Sequence, residues 1–177
     1  MGETMASDSL RVGQPAPDFE LMNQDKTVVK LRDFRGKKKV ALLFYPMDFS
    51  PTCTKEFCSF GAAPEKVNTD PDTVVFGVSC DSPFCHAEFK KKYNLPYDLL
   101  ADVTRKMVKA YGMFAGEEPY NCSKRGTVVI DKNGNISFYE EVPMREPRQP
   151  EALAQAIIAD ALGNRAEEFG ESTSSSR

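Results

Sequence analysis

Hydrophobic positions along this chain form short continuous runs that alternate with amphipathic stretches. The strongest runs, KVALLFY at 39–45 and TVVFGVS at 73–79, are typical of buried strands. Weaker strand patterns lie at 19–22, 27–31, 98–102, 126–131 and 136–142. Helical patterns occupy 51–60, 83–93, 103–111 and 150–162.

The order of these elements predicts one α/β domain. Strands and helices alternate through the middle of the chain, and an Asn-Gly turn at 133–134 joins the last two strands as a hairpin. We expect a thioredoxin-like three-layer fold with a central mixed sheet and an N-terminal β-hairpin. The expected boundaries are a flexible N-terminus at 1–10, the domain at 11–163 and a disordered tail at 164–177.

Composition and charge narrow the function classes. The chain has 177 residues and a net charge of −3, which argues against a nucleic-acid surface. No apolar run approaches the roughly 18 residues of a membrane span, and the first ten residues, MGETMASDSL, lack the features of a signal peptide. We therefore expect a cytoplasmic protein. In that compartment five cysteines suggest redox chemistry, metal chemistry or inert packing.

Cys53 is the strongest candidate for chemistry. Ser50 is a suitable helix N-cap and Pro51 suits the first helical position, so Cys53 falls in the first turn. Backbone N–H groups in that turn lack helical partners, and the helix dipole presents partial positive charge there. A thiolate is stabilised at such a position. The alternative is a small residue that only packs at the helix start.

The chain offers Cys53 two partners, His86 and Arg125. His86 is the single histidine and directly follows Cys85 on a predicted helix, where neighbours point apart. A cysteine-protease pair of Cys53 and His86 has no local signature, and we expect His86 on the surface or on a helix face. Arg125 precedes a predicted central strand and could hold developing negative charge. A thiolate with an arginine but no imidazole fits peroxide reduction.

These residues fall into a recognisable motif. Pro46-x-x-x-Ser50-x-x-Cys53, followed by Thr54-x-Glu56, resembles the P-x-x-x-[T/S]-x-x-C signature of peroxiredoxins. The resemblance continues through GQPAPDFEL, GVSCDSPF, LPYDLLAD, KAYGMF and RGTVVIDKNG, over about residues 11 to 160. It is greatest for the alkyl hydroperoxide reductase E and bacterioferritin-comigratory (Q-type) groups. Threonine is commoner than serine at the position of Ser50.

The resemblance implies a role for each of these residues. Cys53 would be the peroxidatic cysteine, with Pro46 shielding it, Ser50 hydrogen-bonding the peroxide, and Arg125 favouring the thiolate and stabilising the transition state. In the Q-type pattern Cys58 would be the resolving cysteine. The family implies a hydroperoxide substrate, no cofactor, a thioredoxin-like dithiol reductant and, as a further expectation, a homodimer.

Cys58 makes a geometric demand on the helix. Residues five apart on an intact helix are rotated by about 140° and lie roughly 8–9 Å apart at their Cα atoms. A disulfide usually needs less than about 7 Å, so Cys53 and Cys58 can bond only if the helix opens. Two alternatives remain open at this point. Cys85 could resolve instead, or Cys58 could be a packing residue in a one-cysteine enzyme.

The remaining cysteines permit a different class of function. The spacing C-x4-C at 53–58 and again at 80–85 suggests a zinc site, at the limit of the usual ligand spacing. A thioredoxin-fold module that binds zinc or copper is therefore the alternative function, which Ser50 and Arg125 disfavour. A Cys-x-x-Cys disulfide oxidoreductase motif is absent. We expect Cys80 to pack at a strand end and Cys122 to be a free thiol.

Overall fold

The computed structural model of the chain describes residues 10–67 and 70–157. The expected flexible N-terminus at 1–10 lies outside this range except for its last residue. The expected tail at 164–177 and the last five residues of the predicted helix 150–162 also lie outside it. None of the described helices is long and apolar enough to cross a membrane.

The described elements follow the predicted order closely. The strands are β1 (Glu20–Met22), β2 (Val28–Lys30), β3 (Lys39–Phe44), β4 (Thr73–Ser79), β5 (Asp98–Ala101), β6 (Arg125–Ile130) and β7 (Ile136–Val142). The α-helices are α1 (Pro51–Ala62), α2 (Pro64–Val67), α3 (Pro83–Tyr93), α4 (Lys106–Ala110) and α5 (150–157), and a 3-10 turn covers Leu31–Phe34.

A five-stranded mixed sheet organises the domain, in the order β5-β4-β3-β6-β7. The central strand β3 pairs in parallel with β4 and antiparallel with β6, so the end of β3 lies beside the start of β6. Strands β1 and β2 form a separate antiparallel hairpin. The predicted mixed sheet and the N-terminal hairpin are both confirmed.

Alternate residues of β3 face two hydrophobic cores, and every residue of the strand is buried. Val40, Leu42 and Phe44 belong to one core, together with residues of α4 and the 3-10 turn. Ala41 and Leu43 belong to the other, which α1, α3 and α5 cover. This second core also contains Cys53, which places the candidate nucleophile against the sheet rather than on the surface.

Two helices differ from the sequence prediction. The predicted helix at 103–111 is reduced to α4, because Arg105 adopts a left-handed φ of 62° immediately before it. Helix α1 continues past the expected end at residue 60, through Gly61 to Ala62. A Cβ on Gly61 would lie 2.7 Å from the Tyr93 carbonyl oxygen, so glycine permits the close approach of α1 and α3 here.

Candidate active site

The candidate site lies at the carboxyl end of β3, where residues 45–50 connect the strand to α1. Helix α1 begins at Pro51, so Cys53 is the third residue of its first turn, as predicted. The Cys53 side chain is fully buried, although the backbone around it belongs to a loop–helix junction. A buried thiol at a helix N-terminus is placed where backbone N–H dipoles favour negative charge.

Arg125 reaches Cys53 directly. It is the first residue of β6, and the antiparallel pairing of β6 with β3 brings it beside the start of α1. Its Nη2 lies 3.0 Å from the Cys53 sulfur, and its Nη1 lies 2.8 Å from Oε1 of Glu56. Arg125 is itself fully buried. The sequence analysis placed these residues in one site, and the structure brings them into contact.

Glu56 and Arg148 complete a buried charged group that the sequence analysis described only in part. Glu56 is one helical turn after Cys53, and its Oε1 also accepts a 2.8 Å hydrogen bond from Nη2 of Arg148. The backbone N–H and Nε of Arg148 donate to the other carboxylate oxygen, at 2.6 and 3.0 Å. Arg148 also donates to the Phe44 carbonyl at 2.9 Å, which fixes its guanidinium against the end of β3.

Ser50 occupies the N-cap position without capping through its side chain. Its backbone is extended, with φ −68° and ψ 149°, and its carbonyl accepts from the Thr54 N–H at 2.8 Å. The Oγ donates instead to the Met47 carbonyl at 2.9 Å, within the same loop. The expected side-chain cap is therefore wrong, because the hydroxyl points back into the loop. Pro46 lies half-buried at the start of this loop.

His86 is not a surface residue. It is fully buried, which corrects the expectation from its place beside Cys85 on a helix. Its Nδ1 lies 2.7 Å from Oδ2 of Asp48, and its Nε2 lies 3.1 Å from the Leu100 carbonyl oxygen. Both ring nitrogens are occupied, so the structure does not make His86 a base for Cys53.

The other thiols differ in exposure and acidity. All five cysteines lie within the described residues and all are free thiols. Cys58 is exposed on α1. Burial and the nearby Asp102 carboxylate raise the pKa of Cys80 to about 12. Burial and the nearby Asp48 carboxylate likewise raise the pKa of Cys85 to about 12. Burial, with the nearby Cys53 sulfur, also raises the pKa of Cys122. Cys80 packs against the apolar core at the end of β4, as expected.

The cysteines do not assemble into a metal site. Within residues 10–67 and 70–157, the cluster of three potential ligands that lie close enough to share an ion is Asp48, Asp81 and His86. It contains no cysteine, so the zinc arrangement suggested by the repeated C-x4-C spacing does not form. Burial and the neighbouring Asp48 carboxylate raise the pKa of Asp81 within this cluster.

Comparison with known proteins shows the family of the chain. Residues 12–139 match the family model described as AhpC/TSA family. Over 133 residues the chain is 40% identical to peroxiredoxin Bcp of Bacillus subtilis, a match that covers 72% of this chain and 83% of the relative. The chain belongs to the AhpC/TSA family. It is a peroxiredoxin of the Bcp/Q type, since it is also 41% identical over 129 residues to chloroplastic peroxiredoxin Q of Oryza sativa subsp. japonica, covering 71% of this chain and 57% of that one.

Solved peroxiredoxin structures share the fold. Peroxidoxin BcpB from Mycobacterium tuberculosis superposes with a TM-score of 0.72 at 26% identity, over 87% of this chain and 97% of that one. The reduced 2-Cys peroxiredoxin of Plasmodium vivax gives a TM-score of 0.76 at 28% identity, over 89% of this chain and 84% of that one. The thioredoxin-like fold is thereby confirmed.

These relationships make the protein a thiol-dependent peroxidase, an oxidoreductase that acts on hydroperoxides. The alternative of a thioredoxin-fold metal-binding module is not favoured, because the relatives are peroxiredoxins and the cysteines are not grouped as ligands.

Proposed function

We propose that Cys53 is the peroxide-reducing thiol of this peroxidase and that Cys58 resolves its oxidised form. The observation that carries this assignment is the 3.0 Å contact between Nη2 of Arg125 and the Cys53 sulfur. A guanidinium at this distance stabilises a thiolate and can hold charge that develops on a peroxide oxygen next to it.

The first half-reaction follows from this contact. The Cys53 thiolate attacks one peroxide oxygen, the O–O bond breaks, and the other oxygen leaves as an alcohol or water after taking up a proton. Cys53 becomes a sulfenic acid. The Ser50 hydroxyl is proposed to hydrogen-bond the peroxide, and Pro46 is proposed to shield Cys53. The loop that carries both residues is attached directly to the first turn of α1.

Resolution joins a second sulfur to Cys53. The thiol of Cys58 attacks the sulfenic sulfur, a disulfide forms and water leaves. Cys58 is favoured over Cys85 because Cys58 is exposed, whereas burial and the Asp48 carboxylate raise the pKa of Cys85 to about 12. A thiol with such a pKa has little thiolate at neutral pH.

The reductant follows from the product of resolution. A disulfide on an opened helix is accessible to thiolate attack by a dithiol protein, and a thioredoxin-like reductant would return both cysteines to thiols by exchange. A homodimer and a cytoplasmic location stay predictions, as do the domain boundaries at 10/11 and 163/164.

Two cysteine variants test the assignment. We expect Cys53→Ser to abolish peroxide consumption, since serine offers no nucleophilic thiolate. We expect Cys58→Ser to complete one turnover and to stop at the sulfenic acid. The measurement is mass spectrometry of reduced protein after one equivalent of peroxide, with and without alkylation, followed by peptide mapping.

The two parts of the proposal fail separately. Full single-turnover activity in Cys53→Ser would remove Cys53 as the nucleophile. A mapped Cys53–Cys85 bond in the unmodified chain would leave Cys53 in place and transfer resolution to Cys85. A sulfenic acid that persists in the unmodified chain would make this a one-cysteine enzyme.

A further inference from the structure

A buried polar cluster lies directly under the loop that precedes Cys53. We define it by Asp48, His86 and Tyr45, which are all fully or almost fully buried. Oδ2 of Asp48 lies 2.7 Å from Nδ1 of His86, and the Tyr45 hydroxyl donates to Oδ1 of Asp48 at 2.6 Å. The cluster connects two elements, because His86 belongs to α3, whereas Tyr45 and Asp48 both belong to the loop between β3 and α1.

The orientation of His86 is fixed from both sides of its ring. The Leu100 carbonyl at the end of β5 can only accept, so Nε2 must carry a proton and donate to it over 3.1 Å. Nδ1 then shares its hydrogen bond with Asp48. The imidazole is therefore a rigid link between the edge of the sheet and the carboxylate of the loop.

Asp48 is held at its backbone as well as its side chain. Its N–H donates to Oδ2 of Asp81 at 2.9 Å, and Asp81 in turn accepts from the Ser79 hydroxyl at the end of β4. Both carboxylate oxygens and the backbone N–H of Asp48 are thus engaged. The loop cannot shift at this residue without breaking buried hydrogen bonds.

Phe49, the next residue of the loop, has a backbone conformation that needs support from its surroundings. Phe49 has a left-handed φ of 61°, which is uncommon for a bulky residue. Its ring packs edge-on against Phe89 at 5.1 Å and lies 6.4 Å from Tyr93, both on α3. Helix α3 therefore holds two consecutive loop residues, one through a hydrogen bond and one through aromatic packing.

We propose that His86 is a positioning residue for peroxide reduction, acting through Asp48 on the loop that carries Ser50 and Pro46. This rests on the proposed role of Cys53. The Ser50 hydroxyl is bonded to Met47, next to Asp48, and the Ser50 carbonyl accepts from the first turn of α1. A displacement of Asp48 would therefore also move the Ser50 hydroxyl and the first turn of α1, and both would lie beside a bound peroxide.

Two other roles for the cluster are less consistent with its contacts. A metal ion at Asp48, Asp81 and His86 would have to displace the protein donors that already occupy their ligand atoms. A proton-transfer role would need a free nitrogen on His86 facing Cys53, and both nitrogens are engaged.

A pair of amide variants separates the two bonds of His86. In His86→Asn the amide nitrogen takes the place of Nδ1 and can still donate to Asp48, but the bond to Leu100 is lost. In His86→Gln the amide nitrogen takes the place of Nε2 and can still donate to the Leu100 carbonyl, but the bond to Asp48 is lost. Lys91→Gln, at an exposed position of the same helix, is the matched control.

Two rates are measured for Cys53 in the reduced full-length chain. One is the second-order rate of oxidation by hydrogen peroxide, followed by rapid quenching and mass spectrometry. The other is the rate of alkylation by iodoacetamide, which needs an accessible thiolate but no ordered peroxide. We expect His86→Gln to lower the peroxide rate by about 10²-fold, the effect of roughly an ångström of misplacement, with little change in alkylation. His86→Asn should lose far less, on the order of tenfold or below.

The outcomes are distinct. Equal peroxide rates in His86→Asn and His86→Gln would overturn the positioning role. So would a loss of the alkylation rate in His86→Gln that is as large as the loss of its peroxide rate. Asp48→Ala removes the carboxylate that His86 contacts and should give the same selective loss from the loop side, so the test survives if His86→Gln does not fold. Cys53→Ser is run in parallel, because peroxide consumption in that variant would refute the nucleophile assignment independently of His86.

Discussion

At the scale of single residues, the Arg125 guanidinium contacts two partners at once. One terminal nitrogen is 3.0 Å from the Cys53 sulfur and the other is 2.8 Å from Glu56. Nε also donates to the Met144 carbonyl at 3.3 Å. Since three nitrogens are engaged, the guanidinium has one orientation, and in the proposed reaction it is a fixed donor beside the sulfur that attacks the peroxide.

The substitution Arg125→Met tests that donor. We expect the peroxide rate to fall by about 10²-fold or more, because a charged donor to the transition state is lost while the apolar stem of the side chain is roughly kept. The fraction of Cys53 present as thiolate, followed by ultraviolet absorbance, should also fall at a given pH. Lys124→Met is the control, because Lys124 pairs with Glu141 at 3.0 Å near the surface. An unchanged thiolate titration in Arg125→Met would remove Arg125 from the site.

The place of some of these residues in the site could be predicted from the sequence, and that of others could not. Cys53 and Arg125 were found because each stands at the start of a regular element, where a residue type has a local meaning. Arg148 lies in an irregular segment and meets Glu56 across 92 residues of sequence, so no local pattern indicates it. His86 was misplaced because its burial depends on β5 and the active-site loop, which a helical pattern alone does not include.

At the scale of elements, α1 is the part of the fold that has to open if Cys58 resolves Cys53 as proposed. It buries Phe57 and Phe60 completely, and each such ring contributes about 1.5–3 kcal/mol. The Tyr45 ring packs edge-on against Phe57 with ring centroids 4.5 Å apart. Bringing the buried Cys53 to the exposed Cys58 therefore breaks part of the second core, at a cost of several kcal/mol.

Hydrogen exchange should register this opening. We expect peptides covering 53–60 to be protected in reduced protein and strongly deprotected after one equivalent of peroxide, because the disulfide cannot form on an intact helix. Residues 83–93 of α3 provide an internal reference that should stay protected. Cys58→Ser is the matched variant and should keep more of α1 protected after oxidation.

Either of two results would contradict this model of the helix. The first is continued protection of 53–60 in a sample in which the Cys53–Cys58 bond has been mapped. The second is that oxidised Cys58→Ser loses as much protection at 53–60 as the oxidised unmodified chain, which would show that α1 opens without a disulfide.

The element boundaries were predictable where sequence and packing agree. Strand β4, strand β7 and helix α3 match the predicted ranges, because buried runs and Pro or Gly residues mark their ends. Helix α4 is shorter than predicted because Arg105 turns left-handed and donates from Nε to the Asn121 carbonyl at 2.7 Å. That contact is tertiary, so the hydrophobic pattern of 103–111 could not reveal it.

At the scale of the whole molecule, the fold keeps several weakly acidic groups neutral. Burial is the main cause that raises the pKa of the Tyr45 and Tyr97 phenols and of the Cys80 and Cys85 thiols. In the unfolded chain these groups lose their protons near pH 8.5 for cysteine and about pH 10 for tyrosine. The folded state therefore binds more protons than the unfolded state above about pH 8.5.

Stability should accordingly fall in alkaline solution. The stabilisation is fully present below the unfolded pKa values and is lost progressively as pH rises from about 8.5 towards the higher folded values. We expect urea unfolding of the reduced protein to give a smaller free energy of unfolding at about pH 10.5 than at about pH 7. A constant free energy of unfolding across this range would contradict the prediction.

Tyr97→Phe isolates one of these groups. The Tyr97 hydroxyl is buried without a hydrogen-bond partner among the described residues. Removing it should leave stability at neutral pH unchanged or slightly higher and should reduce the alkaline loss. Tyr45→Phe is the contrasting variant, since it deletes a 2.6 Å bond to Asp48 and should destabilise the protein at neutral pH as well.

The buried salt bridges around Glu56 have a consequence for the timing of turnover. With Cys53 as the thiolate, its negative charge and that of Glu56 balance the two guanidinium groups of Arg125 and Arg148 in a buried site. A sulfenic acid is neutral, so the reaction with peroxide leaves one positive charge uncompensated. Buried charge without a counter-charge is strongly destabilising, so in the proposed reaction the oxidation of Cys53 would weaken the attachment of α1 even before a disulfide forms. If Cys58 resolves Cys53 as proposed, the oxidation that calls for Cys58 is also the change of charge that makes α1 easier to open.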